Sequence, residues 1–257
     1  MNNLRFSKTK KVYFASDQHF GAPSLELSKI REKKFLNWLD YIEKDVGALF
    51  LLGDLFDFWF EYKTVVPKGF TRVLGKLAKI ADKGVPIYFF VGNHDLWMVD
   101  YFDAELGIEV FHYPQEFNIN DRSFLIGHGD GLGPGDYGYK RMKIFFTNPI
   151  SKFLFRWIHP DFGVKLAQYL STKSKLISGD ENIKYDGAEK EIIYQYVLKK
   201  NKEVSRDFYV FGHRHLPLDI SFEKSRYINT GDWITHFTYA ELLLDKLELK
   251  KWNTNND

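Results

Sequence analysis

The chain has 257 residues, 44% of them hydrophobic, a formal charge of +2 and no cysteine. That length and apolar content suffice for a large core in one domain, and the lack of Cys excludes disulfides, thiolate metal sites and cysteine nucleophiles. No apolar run reaches the roughly 18 residues that span a bilayer, and the polar, basic opening does not read as a signal peptide; the expected setting is cytoplasmic, with attachment only to the inner face of the membrane.

In chain order, the pattern is a series of apolar strands that each stop at polar residues. A strand over 12–16 runs into Asp17-Gln18-His19. Ser24 can cap a helix whose apolar positions Leu27, Ile30, Trp38, Leu39, Ile42 and Val46 recur at roughly helical spacing. The strand over 48–52 ends in Gly53-Asp54, with Asp57 three residues on. A helix over 70–82 gathers Val73, Leu74, Leu77 and Ile80 on one side, and Lys83-Gly84 ends it before a strand over 86–91 that runs into Gly92-Asn93-His94-Asp95. This alternation calls for a parallel sheet with right-handed crossovers.

Shorter strands follow over 108–111, 116–118 and 123–126, the last leading to Gly127-His128-Gly129-Asp130. A helical insertion is expected over about 136–175, broken at Asn148-Pro149 and His159-Pro160, and a further helix over 187–200. Strands return over 208–211, which runs into Gly212-His213-Arg214-His215, and over 218–222, 226–229, 237–244 and 247–252. The predicted architecture is α/β: two sheets face to face with helices outside, a single domain over 1–257 carrying one helical cap.

Five strands thus deliver ligand-type residues at their carboxyl ends, where open α/β sheets bind ligands. A lone His or a Gly-Asp pair at a strand end is ordinary turn chemistry; five such tips in one chain are not. Asp, His and Asn supply oxygen and nitrogen donors suited to Mn, Fe or Zn. Asp17 and His19, two apart on an extended segment, can face one ion, and His213 and His215 can give one imidazole to each of two. Asp54 has two oxygens and can bridge ions about 3.5–4 Å apart. Such a pair of ions supplies an activated water near neutral pH, so no side-chain nucleophile is required.

Asp17-x-His19, Gly53-Asp54-x-x-Asp57, Gly92-Asn93-His94-Asp95, Gly127-His128 and Gly212-His213-Arg214-His215 resemble the five ordered motifs of the calcineurin-like metallophosphoesterases. The resemblance covers about residues 11–232. It implies a four-layer α/β/β/α sandwich and a dinuclear centre in which Asp17, His19, Asp54 and His215 hold one ion while Asp54, Asn93, His128 and His213 hold the other, with manganese favoured over iron or zinc. His94 then faces the substrate, placed to stabilise the transition state or protonate the leaving oxygen, with Asp95 expected to orient it.

Substrate class is expected from the insertion. Between Lys140 and Lys175 eight cations stand against Asp161 alone, giving this segment +7 and the rest of the chain −5. Ile144, Phe145, Phe146, Phe153, Leu154, Phe155, Trp157 and Ile158 are mixed among those cations. The combination suits an anionic membrane surface and a cleft for acyl chains. It is similar to the UDP-2,3-diacylglucosamine hydrolases of lipid A biosynthesis. The likeness rests on Gly53-Asp54-Leu55-Phe56 followed by Trp59, on His128-Gly129-Asp130 leading to Asp136 and Tyr139, and on a cap ending near Ser174. It implies that Asp136, Tyr139, Ser174 and His94 contact a nucleotide-linked lipid, which is cleaved to UMP and an acylated sugar 1-phosphate. The chain departs from the best-studied branch of that family at His94, where that branch has Arg, and at the cap end, where spacing brings Ser178 and Glu181 to head-group positions. Two other readings are a soluble phosphodiesterase or phosphatase of the same superfamily and a non-catalytic scaffold. Nucleic acid is not an expected partner, and oligomeric state is not legible.

Overall fold

The computed structural model describes residues 2–135, 137–165, 185 and 187–253. Six strands form one sheet in the order β12-β11-β2-β3-β4-β5: β2 (Lys11–Ala15), β3 (Val46–Leu51), β4 (Ile87–Phe90), β5 (Glu109–Phe111), β11 (Thr238–Leu243) and β12 (Lys246–Lys251). Neighbours from β2 to β5 pair in parallel, and β11 adds antiparallel to β2. The second sheet runs β1-β6-β7-β8-β10-β9, from β1 (Asn2–Leu4), β6 (Gln115–Ile119), β7 (Arg122–Ile126), β8 (Phe208–Phe211), β9 (Pro217–Phe222) and β10 (Ser225–Thr230).

Alternation along the strands builds the layers. In β2, Val12 and Phe14 face the second sheet and meet Phe117, Phe124, Ile126 and Val210, while Tyr13 and Ala15 face outward. There they join Phe35, Trp38 and Leu39 of α1 (Leu25–Ile42) and Val73, Leu77 and Ile80 of α2 (Thr71–Asp82). Because both faces of β2 and β3 are covered, these strands read as continuous apolar runs. Behind the second sheet, Ile193, Tyr194 and Val197 of a helix over Ile192–Glu203 pack on Leu125, Tyr209 and Tyr227. The order of layers is α/β/β/α.

Two differences from the sequence expectation bear on the site. Ser24 caps α1 as expected, accepting from Leu27 N, but Leu27 and Ile30 are 53% and 55% exposed. The inward face of this first part of α1 is polar: Gly21 N donates to Ser28 Oγ (2.7 Å), and Arg31 donates to His19 O and Ala22 O at 2.5 Å each. Here the helix packs on the His19 loop, whose backbone carbonyls need donors more than apolar cover. Second, β1 and the short α3 (Tyr101–Leu106) were not anticipated, being three and six residues long, and the helix expected from 187 begins at Ile192 after a single 3₁₀ turn, Ala188–Lys190.

In the insertion, α4 (Tyr137–Thr147) and α5 (Pro149–Arg156) meet at Asn148, whose side chain accepts from Ile150 N at 2.8 Å. Among the described residues no helix is long and apolar enough to cross a membrane.

Candidate metal centre

Five of the seven tip residues turn out of their strands by an abrupt backbone reversal. Asp17, His19, Asp54, His213 and His215 all have φ between 46° and 70°, five of the ten non-glycine residues with positive φ among those described. This left-handed conformation costs an L-residue about 1–2 kcal/mol, and clustering of such strain is a mark of functional sites. Two glycines permit the close approach. A Cβ at Gly92 would lie 2.2 Å from Asp54 Oδ1, and one at Gly53 (φ +89°) would lie 2.5 Å from His128 Nδ1.

The seven expected ligands come together from both sheets. One ligand atom each from Asp17, His19, Asp54 and His215 lies within 4.8 Å of the others, and the same holds for Asp54, His128 and His213. Asp54 belongs to both groups. His19 Nε2 stands 3.1 Å from His215 Nε2 and 3.5 Å from Asp54 Oδ2, and His215 Nε2 is 3.4 Å from Asp17 Oδ1. A metal about 2.1 Å from each donor sets neighbouring ligand atoms about 3 Å apart, which these spacings match. On the other side of Asp54, His128 Nε2 lies 3.2 Å from Asn93 Oδ1 and 3.5 Å from Asp54 Oδ2.

The donor set fits divalent cations on a further count. Asp17 Oδ1 is wholly buried without a hydrogen-bond donor, a position that a carboxylate oxygen tolerates when a cation is its partner. His128 Nδ1 donates to Leu52 O at 2.6 Å, which aims Nε2 at the site, where it offers a lone pair once its proton is released.

The electrostatics are those of a dense ionic cluster. Burial works to raise the pKa of Asp54, but the charges of His128 and His94 outweigh it and hold the carboxyl well below its ordinary value. His128 shows the converse: burial opposes its charge, Asp54 outweighs the burial, and the pKa rises to about 10. His213, buried and facing His128, is pushed down to about 4.

Asp95 does not orient His94 as expected. Its fully buried carboxylate accepts from Gly92 N (2.6 Å) and Leu55 N (3.0 Å), tying the β4 tip to the β3 tip, and burial followed by the charge of Asp54 raises its pKa to about 8. Asp57 stands by His94 instead: His94 Nδ1 donates to Asp57 O at 2.8 Å and lies 3.6 Å from Asp57 Oδ1, which is also 3.4 Å from His19 Nδ1. Asp57 closes the Gly53-Asp54-x-x-Asp57 motif, but its role depends on the turn that brings it back beneath His19. A second carboxylate missed by sequence reasoning, Asp232, lies behind His215. It follows Gly231 at the end of β10, the same strand-Gly-Asp signal that singled out Asp54.

Around the centre, Tyr139 OH and Lys143 Nζ both donate to Asp130 Oδ2, the latter at 2.5 Å, which joins α4 to the loop after His128. Asp136, Ser174, Ser178 and Glu181 lie outside the described residues. The insertion is anchored by Trp97, three residues after His94: its Nε1 donates to Phe146 O at 2.6 Å, and its ring packs on Phe155, which also meets Phe60. Trp97, Phe145, Phe146, Ile150, Leu154, Phe155 and Ile158 line a largely apolar cleft of about 460 Å³.

The family model described as calcineurin-like phosphoesterase matches residues 10–217. A UDP-2,3-diacylglucosamine hydrolase of Porphyromonas gingivalis is 37% identical to the chain, covering 93% of it and 98% of its own length. One of Actinobacillus succinogenes is 27% identical, covering 87% and 92%. Among solved structures, the phosphoesterase Yfce of E. coli aligns with 18% identity and a TM-score of 0.48, over 95% of this chain and 93% of its own. With four-fifths of its length matched by the family model and the motif side chains gathered at one end of two facing sheets, the chain belongs to the calcineurin-like phosphoesterase family.

Proposed function

We propose that the protein hydrolyses the pyrophosphate bond of UDP-2,3-diacylglucosamine, giving UMP and 2,3-diacylglucosamine 1-phosphate, on a centre of two divalent ions, manganese favoured. The observation that carries the substrate assignment is the apolar cleft pinned to the metal-bearing β4 loop through Trp97. A cleft of that size lined by Phe, Leu and Ile offers an apolar surface with room for an acyl chain. The P. gingivalis relative, which aligns over nearly the whole of both chains, is named for this activity.

Asp17, His19, Asp54 and His215 would hold one ion, and Asp54, Asn93, His128 and His213 the other. When bound, the ions polarise the phosphoryl oxygens and supply an activated water at neutral pH. The chain's own residues do the rest. His94, whose ring Nδ1 is held by Asp57 O, offers its other nitrogen to the substrate phosphate or to the leaving oxygen. Asp95 fixes the turn that carries Asn93 and His94. Tyr139 and the Asp130–Lys143 pair set α4 over the substrate, and α4 and α5 wall the cleft against water.

The same insertion serves as the contact with the anionic inner face of the cytoplasmic membrane. Ile150, Phe153, Trp157 and Phe162 are 57–78% exposed beside Lys152, Arg156 and Lys165, and each basic residue near such a surface contributes about 1 kcal/mol.

The test is UMP release from UDP-2,3-diacylglucosamine in detergent by manganese-loaded protein. Turnover is expected. Failure on this lipid together with turnover of simple phosphodiesters would overturn the lipid assignment and leave a phosphodiesterase of the same family.

A further inference from the structure

The two halves of the centre are built unequally behind their imidazoles. His128 is backed by a neutral group, Leu52 O. On the Asp17 side, His19 Nδ1 faces Asp57 Oδ1 at 3.4 Å, and His215 Nδ1 faces Asp232 Oδ2 at 3.6 Å while its Nε2 faces Asp17. Asp232 is 3% exposed, and its two oxygens divide their work. Oδ1 accepts the backbone N–H groups of Ile234, Thr235 and His236 at 2.7–3.1 Å and so holds the turn after β10. Oδ2 is left for His215, shared with His236 Nδ1 at 3.5 Å. The neighbouring Trp233 N donates to Asp17 O, so the Asp232 turn is fastened directly to the strand tip that carries Asp17 and His19.

From this geometry we propose that Asp232 is a positioning residue for His215, and that it makes the Asp17–His19–His215 position the tighter of the two metal sites. A carboxylate behind an imidazole keeps the proton on Nδ1, directs the Nε2 lone pair to the metal and raises its basicity; removing such a partner typically lowers metal affinity by about 10–100-fold. A backbone carbonyl orients the ring without adding charge. Asp232 is suited to the task because the three N–H groups of the turn fix its Oδ1 and so aim Oδ2 at His215. This inference rests on the dinuclear reading of the site and goes beyond it by ranking the two ions.

Asp232→Asn separates positioning from architecture, since the amide oxygen can still accept the three N–H groups that Oδ1 accepts while the charge facing His215 is lost. Calorimetric titration of manganese into chelator-stripped full-length protein reads the two steps. For the unsubstituted protein, two steps of unequal affinity are expected. In Asp232→Asn the tighter step weakens by about 10–100-fold, the weaker step changes less than about threefold, and the melting temperature of the stripped protein holds within a few degrees. His215→Ala should abolish the same tighter step, which identifies it. The proposal is overturned if Asp232→Asn binds both ions as the unsubstituted protein does, or if both steps and the melting temperature of the stripped protein fall together, which marks a purely structural carboxylate. If the unsubstituted protein takes up fewer than two ions, the dinuclear reading itself fails, an outcome distinct from either.

Discussion

At the scale of single residues, Asp54 carries more of the site than any other side chain. It is the one group that reaches both clusters of ligands, and its Oδ1 also accepts His94 N at 2.9 Å, so it positions the backbone of the residue proposed to face the substrate. Asp54→Ala should therefore lower kcat/KM by more than about 100-fold, and by more than His215→Ala does, with loss of both ions by elemental analysis. Full activity with two ions retained would contradict the bridging role. His128 gives a pH prediction with a definite sign. Its pKa is about 10 because Asp54 outweighs the penalty of burial, so below that pH the imidazole holds a proton, and a metal ligand must give it up. Cation uptake at pH 7 should release at least one proton and weaken as pH falls. Titrations in two buffers of different ionisation heat, with the observed heats compared, count that proton; identical heats would show that none is released.

The elements show what was legible in the sequence and what was not. The strand tips were, because a ligand-type residue after an apolar run and a glycine is a local signal, and the glycines have a local reason: Asp54 has no room beside a side chain at Gly92. The first half of α1 was not. Apolar spacing placed Leu27 and Ile30 inside, yet Ser28 and Arg31 are buried there, bonded to the loop that carries His19. Helical periodicity finds an apolar interior and is blind to one made of backbone carbonyls. Asp57 and Asp232 each carried a local signal, one in the Gly-Asp-x-x-Asp motif and one after a strand and a glycine, but which histidine each faces is set only by the folded turns. The insertion was half legible: its aromatics and charge stood out, but not that Phe146 and Phe155 pack on Trp97 while Phe153 and Trp157 remain exposed. That division allows the cleft to be tested apart from the chemistry. Leu154→Asp in the cleft wall should raise KM for the diacylated substrate at least about tenfold, the value of burying one or two CH₂ groups fewer, and leave kcat/KM for bis(p-nitrophenyl) phosphate within about twofold. Equal losses on both substrates would mean that the cleft does not hold the acyl chain.

On the scale of the whole molecule, the ligands divide between the sheets. Asp17, His19, Asp54 and Asn93 follow β2, β3 and β4 of one, and His128, His213 and His215 follow β7 and β8 of the other. Elsewhere the two sheets meet through interdigitated apolar side chains such as Phe14, Phe50, Phe117 and Phe124, a contact without hydrogen-bond direction. At the tips the contact is directional. Bound ions would rivet one sheet to the other at a single end, adding to the bonds that already cross there from His128 Nδ1 to Leu52 O and from His213 N to Asp17 Oδ2, so the loaded protein would be a clasped book. Ions that bind the folded state alone add to its stability by mass action, about 2.7 kcal/mol at a concentration one hundred times the dissociation constant. That increment would act at the end of the sandwich where directional bonds already join the two sheets, so the bound ions would also serve as the clasp between them.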